Sequence, residues 1–119
     1  MAYVDGFVLP IPSNKIQEYR SMAEAAGKIW LEHGALAFRE CVADDTEAKD
    51  MISFPNLAKA KNNETVVFSY IVFKSKEHRD EVNKKVMDDP RIKQSCEQYG
   101  TVFDYKRMAY GGFKVLVDL

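Results

Sequence analysis

One segment of the chain, residues 66–73, is apolar at nearly every position. Its sequence, Val-Val-Phe-Ser-Tyr-Ile-Val-Phe, is rich in the β-branched and aromatic residues that favour strands. Successive side chains on a strand point to opposite faces of the sheet, so both faces of this strand are predicted to avoid water. Helices can cover one face of a small sheet. The pattern therefore predicts that something else covers the other face of the sheet. In a chain this short, we expect a second copy of the same protein to do so.

Alternation and helical spacing divide the rest of the chain into elements. Strands are predicted at residues 3–9, 35–43, 64–73 and 103–110, and residues 113–117, beyond a break at Gly111-Gly112, could form a shorter fifth one. Helices are predicted at residues 13–33, 75–88 and 90–100, the last two beginning at a serine cap and at an Asp-Pro pair. Residues 44–63 are the least regular part, with a short strand at 51–54 and a helical turn at 56–61.

The order of elements is strand-helix-strand followed by strand-helix-strand, within a single domain spanning residues 1–119. Right-handed crossovers place both long helices on the same side of the sheet. This predicts an α+β fold, a ferredoxin-like βαββαβ sandwich with an antiparallel sheet and helices on one face. Leaving the other face in water forfeits about 25 cal/mol for each Å² of apolar surface, so a homodimer is expected.

Side-chain size gives a prediction of which residues face the helices. Small residues are predicted to lie under the helices, where the backbones can approach closely: Val4, Gly6, Val8, Val67, Ser69 and Ile71. Larger side chains are predicted to face the partner subunit: Tyr3, Asp5, Phe7, Leu9, Phe68 and Tyr70. On the second strand either Arg39 or Glu40 could face the partner subunit, and on the fourth strand either Lys106 or Arg107 could do so.

Composition and charge narrow the function classes. The 119 residues carry a formal net charge of −1, which provides no field for gathering nucleic acid or an anionic membrane. No apolar run approaches the roughly 20 residues that span a bilayer, and Met1 leads into the first strand without a signal peptide. Cys41 and Cys96 lack metal-ligand or C-x-x-C spacing, which indicates two free thiols in a reducing cytoplasm.

Five blocks of the sequence carry a resemblance to a known family. The blocks are Ala2–Val8, Glu32–Ala35, Glu64–Ser69, Met87–Arg91 and Arg107–Phe113. Together they resemble the YbaA-like bacterial family of unknown function, assigned to the dimeric α/β-barrel group, and the resemblance covers essentially the whole chain. It implies the fold and a homodimer. It implies no particular activity, because relatives in the wider group include cofactor-free monooxygenases, haem-degrading enzymes and stress proteins.

Two residues are candidates for catalysis. Asp5 is the first, because a carboxylate on a buried face is costly unless it is paired or hydrogen-bonded. Paired with Arg39 or Arg107 it stays ionised and structural, whereas unpaired its pKa rises and it becomes a candidate base. His33 is the second, at the end of the first helix, where an imidazolium also interacts favourably with the helix dipole.

Neither a cofactor nor a metal ion is expected. His33 and His78 have no metal-ligand spacing to other donors, and the acidic residues between 44 and 50 are typical of a solvated loop. Phosphate-binding, dinucleotide-binding and nucleophile-elbow motifs are missing from the sequence. The family resemblance also argues against haem, because haem-degrading relatives use a histidine on the second long helix, where residues 82–88 contain none.

The expected site is an apolar, aromatic pocket at the sheet interface of the homodimer, the default place for a small ligand. Its predicted lining is Tyr3, Asp5, Phe7, Arg39, Phe68, Tyr70 and Arg107. The leading hypothesis is binding of a small apolar or aromatic molecule, with neither nucleic acid nor membrane as a partner. Two alternatives stay open: a cofactor-free monooxygenase of a quinol-like or phenolic substrate, with Asp5 or His33 as the base, and a structural dimer whose core is filled by side chains.

Overall fold

The computed structural model describes residues 1–100 and 102–119. Its strands are β1 (Tyr3–Pro12), β2 (Ala37–Val42), β3 (Glu64–Phe73) and β4 (Ala109–Lys114). Its helices are α1 (Ile16–Glu32), α2 (Phe54–Leu57), α3 (Lys76–Met87) and α4 (Pro90–Tyr99), with 3-10 turns at Ser13–Lys15 and Tyr105–Arg107. None of the helices in the described part of the chain is long and apolar enough to cross a membrane.

The four strands form one antiparallel sheet in the order β2-β3-β1-β4. α1 connects β1 to β2, and α3 and α4 lie between β3 and β4 in the chain. This is the ferredoxin-like α+β fold, the subunit fold of the dimeric α/β-barrel group, so the predicted fold class is confirmed.

Three helix boundaries follow the predicted start and stop signals, whereas α1 begins at Ile16 instead of residue 13, after a 3-10 turn and without a side-chain cap. At the start of α3, the Ser75 hydroxyl oxygen accepts a hydrogen bond from the His78 N–H over 3.1 Å. At the start of α4, the Asp89 carboxylate accepts from the Arg91 N–H over 2.9 Å. Gly34, just beyond α1, has a φ of 115°, which glycine adopts without the steric cost that a side chain brings. Each of these three termini thus satisfies backbone groups or redirects the chain where the sequence predicts it.

Two apolar clusters fill the layer between the sheet and the helices. The first contains Leu9, Ile11, Tyr19, Ala23, Val67 and Val102. The second contains Ile29, Ala35, Ile71, Phe73, Val82 and Val86. Phe7 packs against both clusters and joins them. Burial of this continuous apolar layer is the main force that holds α1 and α3 on the sheet.

The predicted face assignment is right for β3 and wrong for β1. On β3, the side chains of Val67, Ser69 and Ile71 lie under the helices, and those of Phe68 and Tyr70 lie on the other face. Residues directly opposite each other share a face, and Asp5 is opposite Ile71 while Phe7 is opposite Ser69. Tyr3, Asp5, Phe7 and Leu9 therefore face the helices. Size is a poor criterion here, because the layer under a helix must be filled to close packing and large side chains do this best.

The opposite side of the sheet, which no long helix covers, is called the uncovered face below. It carries Val4, Gly6, Val8, Arg39, Phe68, Tyr70, Val72 and Phe113. On β2, Arg39 lies opposite Tyr70 on the uncovered face, the side predicted to meet the partner subunit, whereas Glu40 lies opposite Ser69 and faces the helices. This settles the choice that the sequence leaves open for β2.

The predicted last strands are wrong. β4 occupies residues 109–114 and runs through Gly111-Gly112, while Lys106 and Arg107 belong to a 3-10 turn instead of a strand. Residues 115–119 form no strand in the described chain. A Cβ at Gly112 would collide with the Tyr3 hydroxyl, so glycine at this position makes room for a ring on β1 and does not end the strand.

Candidate functional site

Asp5 is buried on the helix-facing side of β1, with 1% of its surface exposed. Arg79 of α3 supplies the opposite charge, and its Nη1 donates to Asp5 Oδ1 over 3.0 Å. A buried carboxylate with an arginine partner is one of the two predicted outcomes for Asp5. The predicted partner is wrong, because the arginine is Arg79 and neither Arg39 nor Arg107.

Two tyrosines enclose the Arg79 guanidinium. Arg79 Nη1 also donates to the Tyr110 hydroxyl oxygen over 2.9 Å. The guanidinium carbon lies 4.9 Å from the centre of the Tyr3 ring, within cation–π range. The arginine is thus held by one carboxylate, one hydroxyl and one aromatic face.

Asn83 extends these contacts to α1. Its Nδ2 lies 3.4 Å from Asp5 Oδ2, a long hydrogen bond, and its Oδ1 accepts from the Trp30 indole N–H over 3.0 Å. Burial raises the pKa of Asp5, while Arg79 and Asn83 oppose that rise. The following residues are called the Asp5 network below: Tyr3, Asp5, Trp30, Arg79, Asn83 and Tyr110. The network ties α1 and α3 to β1 and β4.

A groove of about 610 Å³ opens between α1 and β2 on the helix side of the sheet. β2 is an edge strand, so the sheet ends beneath this groove. The apolar part of its wall comprises Ile16, Ala23, Leu31, Phe38, Val42 and Val67. The polar rim comes from exposed positions of α1: Gln17, Arg20, Glu24 and Lys28. The groove is therefore an apolar depression with a charged border on one side.

A smaller cavity of about 120 Å³ lies between α1 and the centre of the sheet, and is called the inner cavity below. Its wall includes Phe7, Met22, Ala26, Trp30, Ile71 and Met108. Four residues border both the groove and the inner cavity: Tyr19, Ala23, Phe38 and Glu40. The two cavities thus share one wall, which is apolar except for the polar atoms of Tyr19 and Glu40.

Tyr19 and Glu40 form a hydrogen-bonded pair on this shared wall. The buried Tyr19 hydroxyl donates to Glu40 Oε1 over 2.7 Å. Glu40 lies opposite the buried Ser69, but Glu40 itself is an exposed residue that borders the groove. Desolvation by the surrounding protein raises the pKa of Glu40, against the hydrogen bonds of Tyr19 and Ser69. The pKa of Tyr19 is also raised, chiefly by burial and then by the nearby Glu40.

Sequence comparison places the chain in a family. Residues 2–105 match the family described as "Protein of unknown function (DUF1428)". The chain belongs to the DUF1428 family. The uncharacterized protein YbaA of Escherichia coli strain K12 is 47% identical over 118 residues, which cover 99% of each chain. The uncharacterized protein YbaA of Shigella flexneri is similar to the same extent. The resemblance carried by the five sequence blocks is therefore confirmed.

Solved structures share the fold of this DUF1428 protein at low sequence identity. SnoaB, a cofactor-independent oxygenase from Streptomyces nogalater, superposes with a TM-score of 0.61 at 10% identity, covering 99% of this chain and 96% of SnoaB. A NIPSNAP family protein from Agrobacterium tumefaciens superposes with a TM-score of 0.60 at 14% identity, covering 96% and 92%. At such identities the similarity shows the fold alone.

The predicted ligand-binding residues of this DUF1428 protein do not all line one pocket, although three of them, Phe7, Arg39 and Tyr70, border the inner cavity. Tyr3 and Asp5 belong to the Asp5 network, and Phe7 lines the inner cavity. On the uncovered face, Phe68 lies 6.0 Å from the Tyr70 ring, and the Arg39 guanidinium lies 5.9 Å from that ring. Arg107 instead donates from Nη1 to Glu64 Oε2 over 2.7 Å. The structure therefore divides the predicted set between the two faces of the sheet.

His33 connects two helices. Its Nε2 lies 2.8 Å from Asp89 Oδ2, which joins the end of α1 to the start of α4. Arg91 donates to both Asp89 and Glu32, and so reinforces the same junction. His33 lines neither the groove nor the inner cavity. A catalytic role for Asp5 or His33 stays a prediction.

Six residues of the two polar arrangements are missing from the predicted site: Tyr19, Trp30, Glu40, Arg79, Asn83 and Tyr110. The helical period contains a usable signal for two of them. Arg79, Val82, Asn83 and Val86 recur at steps of three, one and three residues, which places them on one face of α3. The strand period contains a signal for Glu40, since it interrupts the alternating apolar positions Phe38 and Val42.

Among residues 1–100 and 102–119, no group of three or more histidine, cysteine, aspartate or glutamate side chains could hold an ion. Cys41 and Cys96 are both free, as the spacing of the cysteines predicts, and both are exposed.

Proposed function

We propose that this DUF1428 protein is a homodimer that binds a small aromatic molecule between α1 and the sheet. The shared wall of the groove and the inner cavity carries the proposal. This wall is apolar and aromatic, and its one hydrogen-bonded polar pair is Tyr19 and Glu40. Small-molecule sites have this character, because apolar surface supplies affinity while a few polar groups fix the orientation of the ligand.

The dimensions support a ligand of one to three rings. The groove, at about 610 Å³, falls within the range of roughly 300–1,000 Å³ that is typical of ligand pockets. The inner cavity, at about 120 Å³, is close in size to an apolar cavity of about 150 Å³ that holds one benzene molecule. One ring in the inner cavity and the remainder in the groove is the arrangement we propose.

The proposed site replaces the predicted pocket at the sheet interface. That pocket requires Asp5 and Phe7 to share a face of the sheet with Phe68 and Tyr70, but the strand register puts the two pairs on opposite faces, and only Phe7 and Tyr70 border one cavity. The helix side contains both described cavities, so the ligand is placed there. The uncovered face then serves the dimer contact alone.

The homodimer is supported by apolar side chains on the uncovered face. Phe68 is 44% exposed and Phe113 is 63% exposed, and the ring of Phe54 lies 6.0 Å from that of Phe68. Leu116 and Val117 of the C-terminal tail are exposed as well. Monomeric proteins rarely leave a continuous apolar surface of this kind in water, and a second copy covers it with the same chemistry.

Sedimentation analysis tests the homodimer. The wild-type protein is expected to sediment as a dimer, and Phe68→Asp as a monomer, because a charge at the centre of the contact cannot be desolvated without a partner. Tyr105→Asp is the matched control, since Tyr105 is 68% exposed but lies in the 3-10 turn and outside the uncovered face. A monomeric wild type, or a Phe68→Asp dimer, would contradict the proposed contact.

Trp30 gives a direct test of ligand binding. It is the single tryptophan of the chain and lines the inner cavity, so its fluorescence reports occupancy. We expect 1-naphthol to quench this fluorescence in a saturable way. Ala23→Leu, which adds bulk to the shared wall, is expected to weaken the quenching at least tenfold, whereas Ala25→Leu on an exposed position of α1 should not.

The outcomes separate the ligand-binding function from a structural dimer. Saturable quenching that Ala23→Leu weakens supports a site at the shared wall. Quenching that both leucine variants leave unchanged would place the naphthol elsewhere. If neither 1-naphthol nor a panel of larger phenols and quinols alters the Trp30 signal, the cavities are packing defects and the structural-dimer alternative is preferred.

A cofactor-free monooxygenase acting on a phenolic or quinol-like substrate is the second candidate. The observation that favours it is a carboxylate, Glu40, on the wall of an aromatic cavity, where it could take a proton from a hydroxyl. SnoaB, described as a cofactor-independent oxygenase, shows that the fold can host such chemistry. Oxygen uptake with a panel of quinols tests the reaction. Activity that Glu40→Gln abolishes and Asp5→Asn preserves would move the base from the predicted Asp5 to Glu40.

A further inference from the structure

Among the described residues, Glu40 has hydrogen-bond partners but no ion-pair partner, which distinguishes it from the paired carboxylates of Asp5 and Glu64. None of the ion pairs found within residues 1–100 and 102–119 involves Glu40. Its neighbours Tyr19 and Ser69 supply hydroxyl groups only. A carboxylate accepts about four hydrogen bonds, so Glu40 retains unused acceptor capacity where the groove and the inner cavity meet.

We infer that Glu40 is the anchor of the ligand: it accepts a hydrogen bond from an acidic O–H on an aromatic ring, and the ligand class is therefore a neutral phenol. This inference rests on the proposed function and makes it more specific. Tyr19 acts as a positioning residue, because its 2.7 Å hydrogen bond to Oε1 fixes the carboxylate against α1. The ring of the phenol then packs among the aromatic side chains of the inner cavity, Phe7, Trp30 and Phe38.

The count of acceptors favours a phenol over an aromatic ammonium ion. A phenol presents one donor, which one free acceptor position of Glu40 satisfies. An ammonium group presents three donors, and the shared wall adds no second carboxylate to Glu40. Two cationic residues, Arg20 and Lys28, line the groove, and Arg39 borders the inner cavity; within the described residues Lys28 is paired with Glu24 at 3.7 Å. The rim therefore disfavours an approaching cation.

The environment of Glu40 suits a strong hydrogen bond. Its carboxylate borders an apolar, aromatic cavity, and hydrogen bonds to charged groups strengthen when water is excluded. A phenol that fills the cavity excludes the water that otherwise reaches Glu40 from the groove. Ligand binding and the hydrogen bond thus reinforce each other.

Two matched ligands distinguish the contribution of the hydrogen bond to affinity from the contribution of filling the cavity. The probes are 1-naphthol and 1-methoxynaphthalene, which have the same rings and differ in the O–H donor, and binding is followed by Trp30 fluorescence. The wild-type protein is expected to prefer 1-naphthol by about tenfold or more, the value of a hydrogen bond to a charged acceptor. Glu40→Gln should lose about this preference while its affinity for 1-methoxynaphthalene stays unchanged.

Two further variants test whether Glu40→Gln weakens binding by damaging the fold instead of by removing a hydrogen bond. Glu40→Asp keeps the charge but withdraws it by one methylene, and should retain part of the preference for 1-naphthol. Glu18→Gln, an exposed glutamate of α1 that lines neither cavity, should behave as wild type. This pattern would support a hydrogen-bonding role, because damage to the fold would weaken both probes together.

Other outcomes overturn the inference. If wild type binds both probes equally and Glu40→Gln changes neither, the proposed function stands and the role of Glu40 fails. The role also fails if Glu40→Gln weakens both probes alike, or if 2-(1-naphthyl)ethylammonium binds more tightly than 1-naphthol. If no probe binds the wild-type protein, the proposed function and this inference fail together.

Discussion

Two carboxylates lie on the helix side of one sheet, and the protein surrounds them differently. Asp5, in a central strand, has Arg79 as its counter-ion and lines neither the groove nor the inner cavity. Glu40, in an edge strand, has Tyr19 as its neighbour and borders both cavities. Desolvation by the surrounding protein raises the pKa of each, although Asp5 is buried and Glu40 is exposed. The partner therefore distinguishes them: an arginine completes a structural ion pair, whereas a tyrosine leaves a carboxylate with capacity for a ligand.

Phe7 keeps the two arrangements apart. A cross-strand row on the helix side runs from Glu40 to Ser69, then to Phe7 and Tyr110. The Phe7 ring lies 5.0 Å from that of Tyr110, which belongs to the Asp5 network, and also lines the inner cavity. One aromatic side chain thus separates a closed polar network from an open polar pair.

Removing the carboxylate of Asp5 has the largest expected effect on the structural side of the comparison. Asp5→Ala leaves Arg79 buried without its ionic partner, and breaking a buried pair costs about 3–5 kcal/mol. Urea unfolding measures the loss of free energy of unfolding.

Asp80→Ala is the control for that substitution. Asp80 Oδ1 lies 2.9 Å from Arg79 Nε, but the contact is not an aligned hydrogen bond and the Asp80 side chain is 62% exposed. Its removal should cost less than about 1 kcal/mol, as for other exposed pairs. If Asp5→Ala costs no more than Asp80→Ala, the Asp5 network is not the structural element described here.

The fold follows from the sequence more readily than either polar arrangement does. Apolar periodicity depends on local spacing, so the order of strands and helices is recoverable. The face of β1 is not, because Val4-Asp5-Gly6-Phe7 offers side chains that could fit either side. The Asp5–Arg79 pair joins residues 74 positions apart, and only the register and the face of α3 together bring them into contact. The unused hydrogen-bond acceptor capacity of Glu40 depends on which side chains surround it in the folded protein. The spacing of residues along the sequence does not reveal these neighbours.

Crowding the shared wall tests the cavity side of the comparison. A Cβ at Gly27 would lie 2.6 Å from Phe38 Cδ1, so Gly27→Ala must displace a ring that borders both cavities. Overpacking costs about 1–3 kcal/mol, and alanine regains about 1 kcal/mol through its helix propensity. We expect a net loss of roughly 1 kcal/mol in urea unfolding, together with weaker 1-naphthol binding.

A double variant checks the cause of that loss. In a Phe38→Leu background the ring is gone, so Gly27→Ala should become neutral or stabilising. The coupling free energy between the two positions measures their contact directly. Additive effects would mean that Gly27 is not required for the close approach of Phe38.

A third carboxylate, Glu64, can be compared with Asp5 and Glu40, because it has a counter-ion and lines neither the groove nor the inner cavity. Hydrogen bonds from Arg107 lower its pKa from the usual 4.5 to about 2. A lowered pKa in the folded state stabilises the protein above about pH 4.5, and this contribution disappears as the pH falls toward 2. Thermal melts should therefore show Glu64→Gln less stable than wild type at pH 7 and nearly equal to it near pH 2. A difference that persists unchanged into acid would exclude this ion pair as its cause.

Among these substitutions, Glu40→Gln should change stability the least, and it should raise stability at pH 7 where Glu64→Gln lowers it. Desolvation by the surrounding protein raises the folded-state pKa of Glu40 above the usual 4.5, so the folded chain holds this proton more readily than the unfolded chain. Stability associated with Glu40 therefore declines as the pH rises from 4.5 through the raised value, and ionised Glu40 costs stability at neutral pH. Glu40→Gln removes that cost, because the amide can still accept from Tyr19. Thermal melts at pH 7 should show a slightly higher Tm for Glu40→Gln, with the gain vanishing in acid, while its preference for 1-naphthol is lost. If removing a side chain stabilises the fold and weakens binding, that side chain serves the ligand and not the fold. A lower Tm for Glu40→Gln at pH 7 would instead mean that Glu40 stabilises the fold, as Asp5 is expected to do.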